Sequence, residues 1–368
     1  MKPVKTAVIG CGAISDIYIE NMMHRFSTLE VVACCASHFE HAQAKAAKHG
    51  IRPSTVEEIL ASPDIELVVI LTPAPSHFDL IRRALLAGKH VYTEKPLTTQ
   101  LSEARELLEL SRRLGLRLGS APETFMGSAL QTARQALDTG LLGSLTSFHV
   151  VANRDLTLLA SLFHFLRQPG GGIAYDYGVY YLTALVSLLG PVHSIYAHVS
   201  NFQKVRRNII PTSPEYGSDY VYDNESQVHC VLETRSGIPG TFSLNGDSAM
   251  HDQAYFTIHG TRGILQLGDA NQFGGTVRFL PNDPTACAWQ TLPPVSELSD
   301  NCRGIGPSDM GLCIRNGGTH LASQEMACHV LDIVETLMHS AQKGLPCQTV
   351  TECERPAAFT YWRELMKN

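Results

Sequence analysis

The sequence has no Cys-x-x-Cys pair, no basic stripe and no apolar run of membrane-spanning length, and charged residues fill only 17% of its 368 positions. Each absence excludes something. Ten cysteines without ligand-like spacing argue against a metal site. Cys302, Cys313, Cys328, Cys347 and Cys353 are loosely spread, and Cys34 and Cys35 are neighbours in a predicted strand and face opposite sides of a sheet. Cys11 reads as a small filler in a loop. Reduced thiols and no metal are the expectation. Without a basic stripe, and at a formal net charge of -6, neither nucleic acid nor a membrane surface is an expected partner. The most apolar stretch, residues 182–189, has the length of a core helix. The chain enters a strand pattern almost at once, so no signal peptide is expected and the expected location is the cytoplasm. Repeats and low-complexity tracts are missing too. The length itself provides room for two domains with real cores.

The first domain, residues 1–122, is predicted to alternate strand and helix. Residues 5–9, 30–36, 67–71, 90–93 and 117–120 read as buried strands. Residues 14–25, 39–49, 55–60, 76–87 and 102–114 read as helices, with Ser54 and Ser102 as expected caps. This alternation predicts a parallel, doubly wound sheet, an α/β Rossmann domain. The second domain, residues 123–368, changes character. Helices are expected near 128–139 and 178–189, with a strand near 145–152 between them. Alternating segments at 193–200, 227–233, 238–245, 253–259, 264–267 and 276–279 predict an antiparallel meander. Residues 281–318, rich in Pro, Gly, Asn and Ser, read as a long loop and candidate lid before a helix near 321–343. The second domain is thus α+β.

The run from Gly10 through Cys11, Gly12, Ala13 and Ile14 to Ser15 follows the first predicted strand and opens the first helix. Gly10 permits the tight turn, Gly12 lets a pyrophosphate approach the backbone, and Ala13 and Ile14 complete a cradle where helix N–H groups and dipole favour an anion. The usual third glycine is Ser15. At the end of the second strand stand Ala36, Ser37 and His38, with no acid to receive the adenine ribose. Ser37 can hydrogen-bond a 2'-phosphate, and His38 or His41 can add partial positive charge. That leans toward NADP, but no arginine fixes it, so the expected cofactor is NAD(P). Thr72-Pro73 follows the third buried strand and sets the backbone where the cofactor passes, and His77, opening the next helix, is a cofactor-binding candidate whose plainer reading is to cap that helix or pack beneath the loop.

Glu94-Lys95-Pro96 ends the next strand. Glu94 is a candidate for the nicotinamide ribose. Lys95 is a candidate to hydrogen-bond a substrate oxygen, or to lower the pKa of a neighbouring base. In the second domain Gly170, Gly171 and Gly172 lead into a helix on which Asp176 and Tyr180, four apart, share a face. A tyrosine ordinarily ionises near pH 10, at about that value, so it needs a cation to act as a base, and Lys95 can be that cation. Lys95, Asp176 and Tyr180 make a proton-transfer set for moving a hydride to or from a sugar-like alcohol.

Together these residues resemble the Gfo/Idh/MocA family, the glucose-fructose oxidoreductase and inositol dehydrogenase group. The resemblance runs through the glycine loop, Thr72-Pro73 with His77, the run from Gly88 to Pro96, and residues 170–181. It implies a Rossmann domain plus an α+β domain with a large open, mainly antiparallel sheet, through which a homo-oligomer (dimer or tetramer) forms. It also implies NAD(P)-dependent oxidation or reduction of hydroxyls on sugars, polyols and glycosides. Lys95 matches the family lysine and Asp176 the family aspartate. The family histidine is Tyr180 here, and Thr183 stands where many members have a second aspartate. Either Tyr180 replaces the base, or His164 reaches in from before the glycine turn. The run from Asp176 to Thr183 and the Ala121-Pro-Glu-Thr-Phe125 segment resemble a branch acting on the C3 hydroxyl of glycosides. Glu123 and Thr124 would then flank cofactor and sugar. Arg154 and Arg167 are further polar candidates, with surface placement the plainer expectation for both. Two alternatives stay open. One is a redox-assisted glycosidase working through a 3-keto intermediate with recycled NAD. The other is a non-catalytic dinucleotide-binding regulator, against which the retained Lys95 and Asp176 argue.

Overall fold

The computed structural model describes residues 2–249, 253–285 and 287–367. The chain forms two compact units. Residues up to Met126, Asn301–Cys328 and the segment from Phe359 onward make the first; Gly127–Asp300 and His329–Ala358 make the second. The units therefore do not follow a single cut at residue 122, because two later segments return to the first unit.

The first unit holds six parallel strands: β1 Val4–Ile9, β2 Leu29–Cys35, β3 Arg52–Pro53, β4 Leu67–Ile70, β5 His90–Thr93 and β6 Leu118–Ser120. Their order is β3-β2-β1-β4-β5-β6. β4 reads Leu-Val-Val-Ile and is buried throughout, as a strand covered on both faces requires. The strand order reverses between β1 and β4, which opens a crevice at their carboxyl ends. The glycine loop leaves β1 there, the Thr72 turn follows β4, and the Glu94 loop follows β5.

Local details differ from expectation. The helix expected over 14–25 is α-helical at Ser15–Glu20 and π-helical at Asn21–Arg25. The cap of helix Val56–Ala61 is Thr55, not Ser54. The Thr55 hydroxyl accepts from Glu58 N–H while the Glu58 carboxylate accepts from Thr55 N–H, a capping box. Helix Leu101–Leu114 starts before Ser102, with Gln100 at its cap position.

Residues 281–318 are not a loop throughout. Ile305–Asn316 is a helix, buried from Ile305 to Cys313, and it belongs to the first unit. Two glycines that read as loop residues are packing contacts. A Cβ on Gly306 would overlap the Tyr92 hydroxyl and the Glu123 carboxylate, and one on Gly311 would come within 2.6 Å of Leu29. Pro307 sits in the first turn, where its missing N–H costs nothing.

The second unit is built on a nine-stranded sheet. Its strands are β7 Leu145–Asn153, β8 Val192–Ser200, β11 Gln227–Thr234, β12 Pro239–Asn245, β13 Ala254–Gly260, β14 Gly263–Leu267, β15 Arg278–Pro281, β16 Gln290–Thr291 and β17 Cys347–Gln348. A separate ribbon pairs β9 Val205–Arg207 with β10 Asp219–Val221. The large sheet runs β16-β15-β14-β13-β7-β12-β11-β8-β17 and is antiparallel except between β7 and β12. This is the large, mainly antiparallel sheet that the resemblance implied. Period-two alternation buries Phe148, Val150, Phe242, Leu244, Phe256 and Ile258 on one face and exposes Tyr196, His229, Val231 and Tyr255 on the other. Helix Val179–Leu189 is buried at every position, and Gly178 before it leaves no room for a side chain beside Leu244. Among the described residues no helix is long and apolar enough to cross a membrane.

Candidate active site

In the first unit the glycine loop has the geometry that a dinucleotide needs. Gly10 has φ +110°, and a Cβ there would lie 2.7 Å from the Leu71 carbonyl group, so only glycine fits. The space where a Gly12 Cβ would project is open. Ser15 replaces the usual third glycine with a function of its own. It is buried, and its hydroxyl donates to the Gly12 carbonyl at 2.7 Å, closing the turn. Ala13 is exposed and Ile14 half-buried at the start of the helix. Past β2, Ser37 and His38 are exposed, and the His38 ring lies edge-on to His41 at 5.5 Å.

The Thr72 and Glu94 loops are braced from beneath. His77 is fully buried, with Nδ1 2.8 Å from the Pro96 carbonyl and Nε2 2.8 Å from the Thr72 carbonyl. It thus ties the two loops together, with both ring nitrogens taken up by backbone carbonyls, which is the packing alternative and not the cofactor contact expected of it. Burial holds its pKa below the ordinary histidine value although both carbonyls pull it up. The Ser76 hydroxyl donates to the Thr72 hydroxyl at 2.7 Å beside Pro73. Glu94 is buried; it accepts from the Tyr18 hydroxyl at 2.7 Å and from Lys95 N–H at 3.2 Å. Lys95 is half-buried, and the Lys95–Pro96 and Ala121–Pro122 bonds are cis.

Glu123 is placed differently from the position beside cofactor and sugar that was expected. It is 1% exposed, and its carboxylate accepts from Gly304 N–H at 2.5 Å, Gly306 N–H at 2.7 Å and the Tyr92 hydroxyl at 3.0 Å. It anchors the start of helix Ile305–Asn316. Burial pushes its pKa up to about 7, against the pull of the two N–H donors. A carboxyl raised in this way keeps its proton in the folded state where the unfolded chain has lost it. Its contribution to stability therefore falls as pH rises from about 4.3 through the folded value. Glu123→Gln cannot titrate. The stability difference between wild type and variant, measured by urea denaturation, should shift against the wild type between about pH 5 and pH 8. A difference independent of pH would overturn the assignment.

In the second unit, Gly170 to Gly172 lead into a π-helical turn, Ile173–Gly178, and then helix Val179–Leu189. Asp176 is half-buried on the turn, and Tyr180 is 8% exposed one turn later. His164 stands apart on the 3-10 turn His164–Arg167, with its side chain 58% exposed and 3.6 Å from Glu215. That exposed placement does not suit the alternative base that the sequence suggested.

Arg154 and Arg167, expected at the surface, are both largely buried. Arg154 stacks on the Tyr177 ring at 3.7 Å and pairs with Asp269 at 3.1 Å. Asp269 also accepts from the Tyr181 hydroxyl, which lies 2.5 Å from the Tyr177 hydroxyl. Arg167 pairs with Glu215 at 3.1 Å and stacks on Tyr220 at 3.9 Å. Sequence reasoning missed Asp269 and Glu225. The Glu225 carboxylate is buried against the glycine turn, accepts from Ala174 N–H at 2.9 Å, and is pushed up to about 7 by burial. The partners that place these acids at the turn and beside Arg154 lie 51 and 115 residues away, although Asp269 also accepts from Asn271 N–H two residues on. Among the described residues no group of three or more His, Cys, Asp or Glu is arranged to hold a metal ion.

Known proteins match this architecture. Residues 4–121 match the Gfo/Idh/MocA oxidoreductase family, NAD-binding Rossmann fold, and residues 130–266 match the GFO/IDH/MocA C-terminal domain. An uncharacterized oxidoreductase of Escherichia coli, YhhX, is 31% identical over 310 residues, spanning 81% of each chain. The D-glucoside 3-dehydrogenase of Escherichia coli is 30% identical over 211 residues, 55% of this chain and 59% of that protein. Levoglucosan dehydrogenase, solved in complex with NADH and L-sorbose, shares the fold with a TM-score of 0.82 at 19% identity, over 95% of this chain and 99% of that one. The chain belongs to the Gfo/Idh/MocA family of oxidoreductases, and its first unit carries that family's NAD-binding Rossmann fold.

Proposed function

We propose that this oxidoreductase moves a hydride between NAD(P) and a carbinol carbon of a sugar, polyol or glycoside, with C3 of a glycosyl unit as the first position to test. The observation that carries the reading is the Glu94-Lys95-Pro96 loop at the carboxyl edge of the NAD-binding sheet, fixed by Tyr18 on one side and His77 on the other. The similarity to a D-glucoside 3-dehydrogenase supports the C3 position.

Gly10 and Gly12 admit the pyrophosphate, Thr72 and Pro73 line its path, and Ser37 and His38 meet the adenine ribose. When bound, the dinucleotide supplies the hydride acceptor at its nicotinamide C4. The Lys95 ammonium donates a hydrogen bond to the reacting hydroxyl oxygen and stabilises negative charge as it develops there. Tyr180 takes the hydroxyl proton in oxidation and returns it in reduction, with Asp176 orienting the sugar from the same stretch of helix. The exposed face around Tyr196, His229 and Val231 is where a second copy would pack, making a cytoplasmic homo-oligomer.

The test is the absorbance of reduced nicotinamide with NAD and NADP supplied separately, over a panel of sugars, polyols and glycosides, with product analysis for a 3-keto group. Reduction of either cofactor with a 3-keto product is the expected result. Aglycone release with no net change in absorbance would assign the redox-assisted glycosidase instead. Cofactor binding without turnover of any panel member would favour the regulator.

A further inference from the structure

Two histidines stand side by side on the open face of the large sheet, apart from every residue that the proposed reaction uses. His149 is on β7 and His259 on β13, neighbouring antiparallel strands. The register sets Thr257 opposite His149 and Ser147 opposite His259, so the two histidines are diagonal neighbours across the ladder. Phe148, Val150, Phe256 and Ile258 are buried, and alternation turns both histidines to the other face, where each is half-buried. Their ring centroids lie 5.2 Å apart with the ring planes at 82°. On the next strand, β12, Thr241 stands opposite His149, and its hydroxyl lies 2.8 Å from His149 Nδ1. That hydrogen bond occupies one ring nitrogen, fixes the ring and leaves Nε2 as the nitrogen that can bind a ligand.

We propose that His149 and His259 together bind one divalent transition-metal ion of the zinc, nickel or copper class, which ties β7 to β13. Imidazole nitrogens bind zinc at about 2.0–2.1 Å, and two rings on one tetrahedral ion therefore have centroids roughly 5 Å apart. The separation of these two rings is that of a ligating pair. Imidazole donors suit such ions, whereas magnesium and calcium take oxygen donors. Thr241 plays the part of the outer partner that a metal-bound histidine commonly has: with Nδ1–H donating to the hydroxyl, the lone pair is on Nε2. Burial, and after it the neighbouring His149, hold His259 below the ordinary histidine pKa, so the neutral form that a metal requires is the one present at neutral pH. Two protein ligands leave two tetrahedral positions to water. The site is thus an exchangeable one, in keeping with the lack, among the described residues, of any metal-holding group of three. It lies on the other side of β12 from His229, Val231 and Tyr196, the region assigned above to a second copy.

The experiment is calorimetric titration of the purified full-length chain with zinc chloride, nickel chloride and magnesium chloride, in parallel with the His149→Ala/His259→Ala double variant. With zinc and nickel the double variant should bind about one ion fewer per chain, and with magnesium the two proteins should not differ. Thr241→Val should raise the Kd of the lost site roughly tenfold, because the ring it orients is freed. Zinc should also raise the Tm of the wild type above that of the double variant by about 2–4 °C more than any difference seen without metal. If the alanine variant does not fold, His149→Gln, which keeps the bulk and loses the imidazole, carries the same comparison. Equal zinc stoichiometry in wild type and variant would overturn the site. A Tm difference of the same size with and without zinc would also overturn it, and would reduce the pair to a ring contact within the sheet.

Discussion

Lys95→Met is expected to lower kcat by about a thousandfold while leaving the dinucleotide Kd within about threefold of wild type. Methionine keeps the length and apolar stem of lysine and removes only the ammonium. Three contacts that fix the loop lie outside the Lys95 side chain. Tyr18 holds Glu94, the bond from residue 95 to the Glu94 carboxylate comes from the backbone, and His77 holds the Pro96 carbonyl. The loop should therefore keep its shape. Loss of rate should fall on kcat, because the charge is needed where negative charge grows on the reacting oxygen, not where the cofactor is gripped. Calorimetric titration of the dinucleotide and steady-state kinetics on the best substrate separate the two. Unchanged kcat would remove Lys95 from the chemistry. Equal loss of binding and rate would mean that its role is to build the cofactor site.

What the sequence made legible here was the sheet. Buried parallel strands are continuous apolar runs, so β4 and β5 were located nearly to the residue, and the glycine loop followed because it is tied to the end of a strand. Helix Ile305–Asn316 was not legible, and the reason is physical. Its glycines exist because Tyr92, Glu123 and Leu29 press against it, and a glycine needed for close packing looks in sequence like one needed for a turn. The same holds for the acids. Glu94 announced itself by standing next to Lys95 and Pro96, whereas Glu123, Glu225 and Asp269 take their roles from distant partners. His77 read from its place after Thr72-Pro73 as a cofactor-site candidate, whereas its brace role depends on the Pro96 carbonyl 19 residues on, which nothing local announces. Ser15 in place of glycine looked like a weakened motif. It is instead a turn closed by its own hydroxyl.

The glycine turn before Asp176 yields the second large effect, a stability loss of about 2–3 kcal/mol for Gly172→Ala that largely disappears once Glu225 is removed. The three glycines look alike in sequence and differ in cause. Gly170 has φ +83°, in the left-handed region. At Gly171 a Cβ would overlap the Leu166 backbone. Gly172 has φ -69°, open to any residue, so no backbone demand explains it. A methyl group there would overlap both Glu225 carboxylate oxygens. The carboxyl cannot step aside cheaply, because it is buried and accepts from Ala174 N–H, which would lose its partner. Glu225→Ala vacates that space, so in its background Gly172→Ala should cost less than about 1 kcal/mol by urea denaturation. Additive costs in the double variant would mean that Gly172 serves the backbone alone. The coupling also reaches the proposed chemistry. Asp176 N–H donates to the Gly172 carbonyl at 2.8 Å, so moving residue 172 moves Asp176 with it. The single variant should accordingly lose kcat as well as stability, and the double variant should recover part of both.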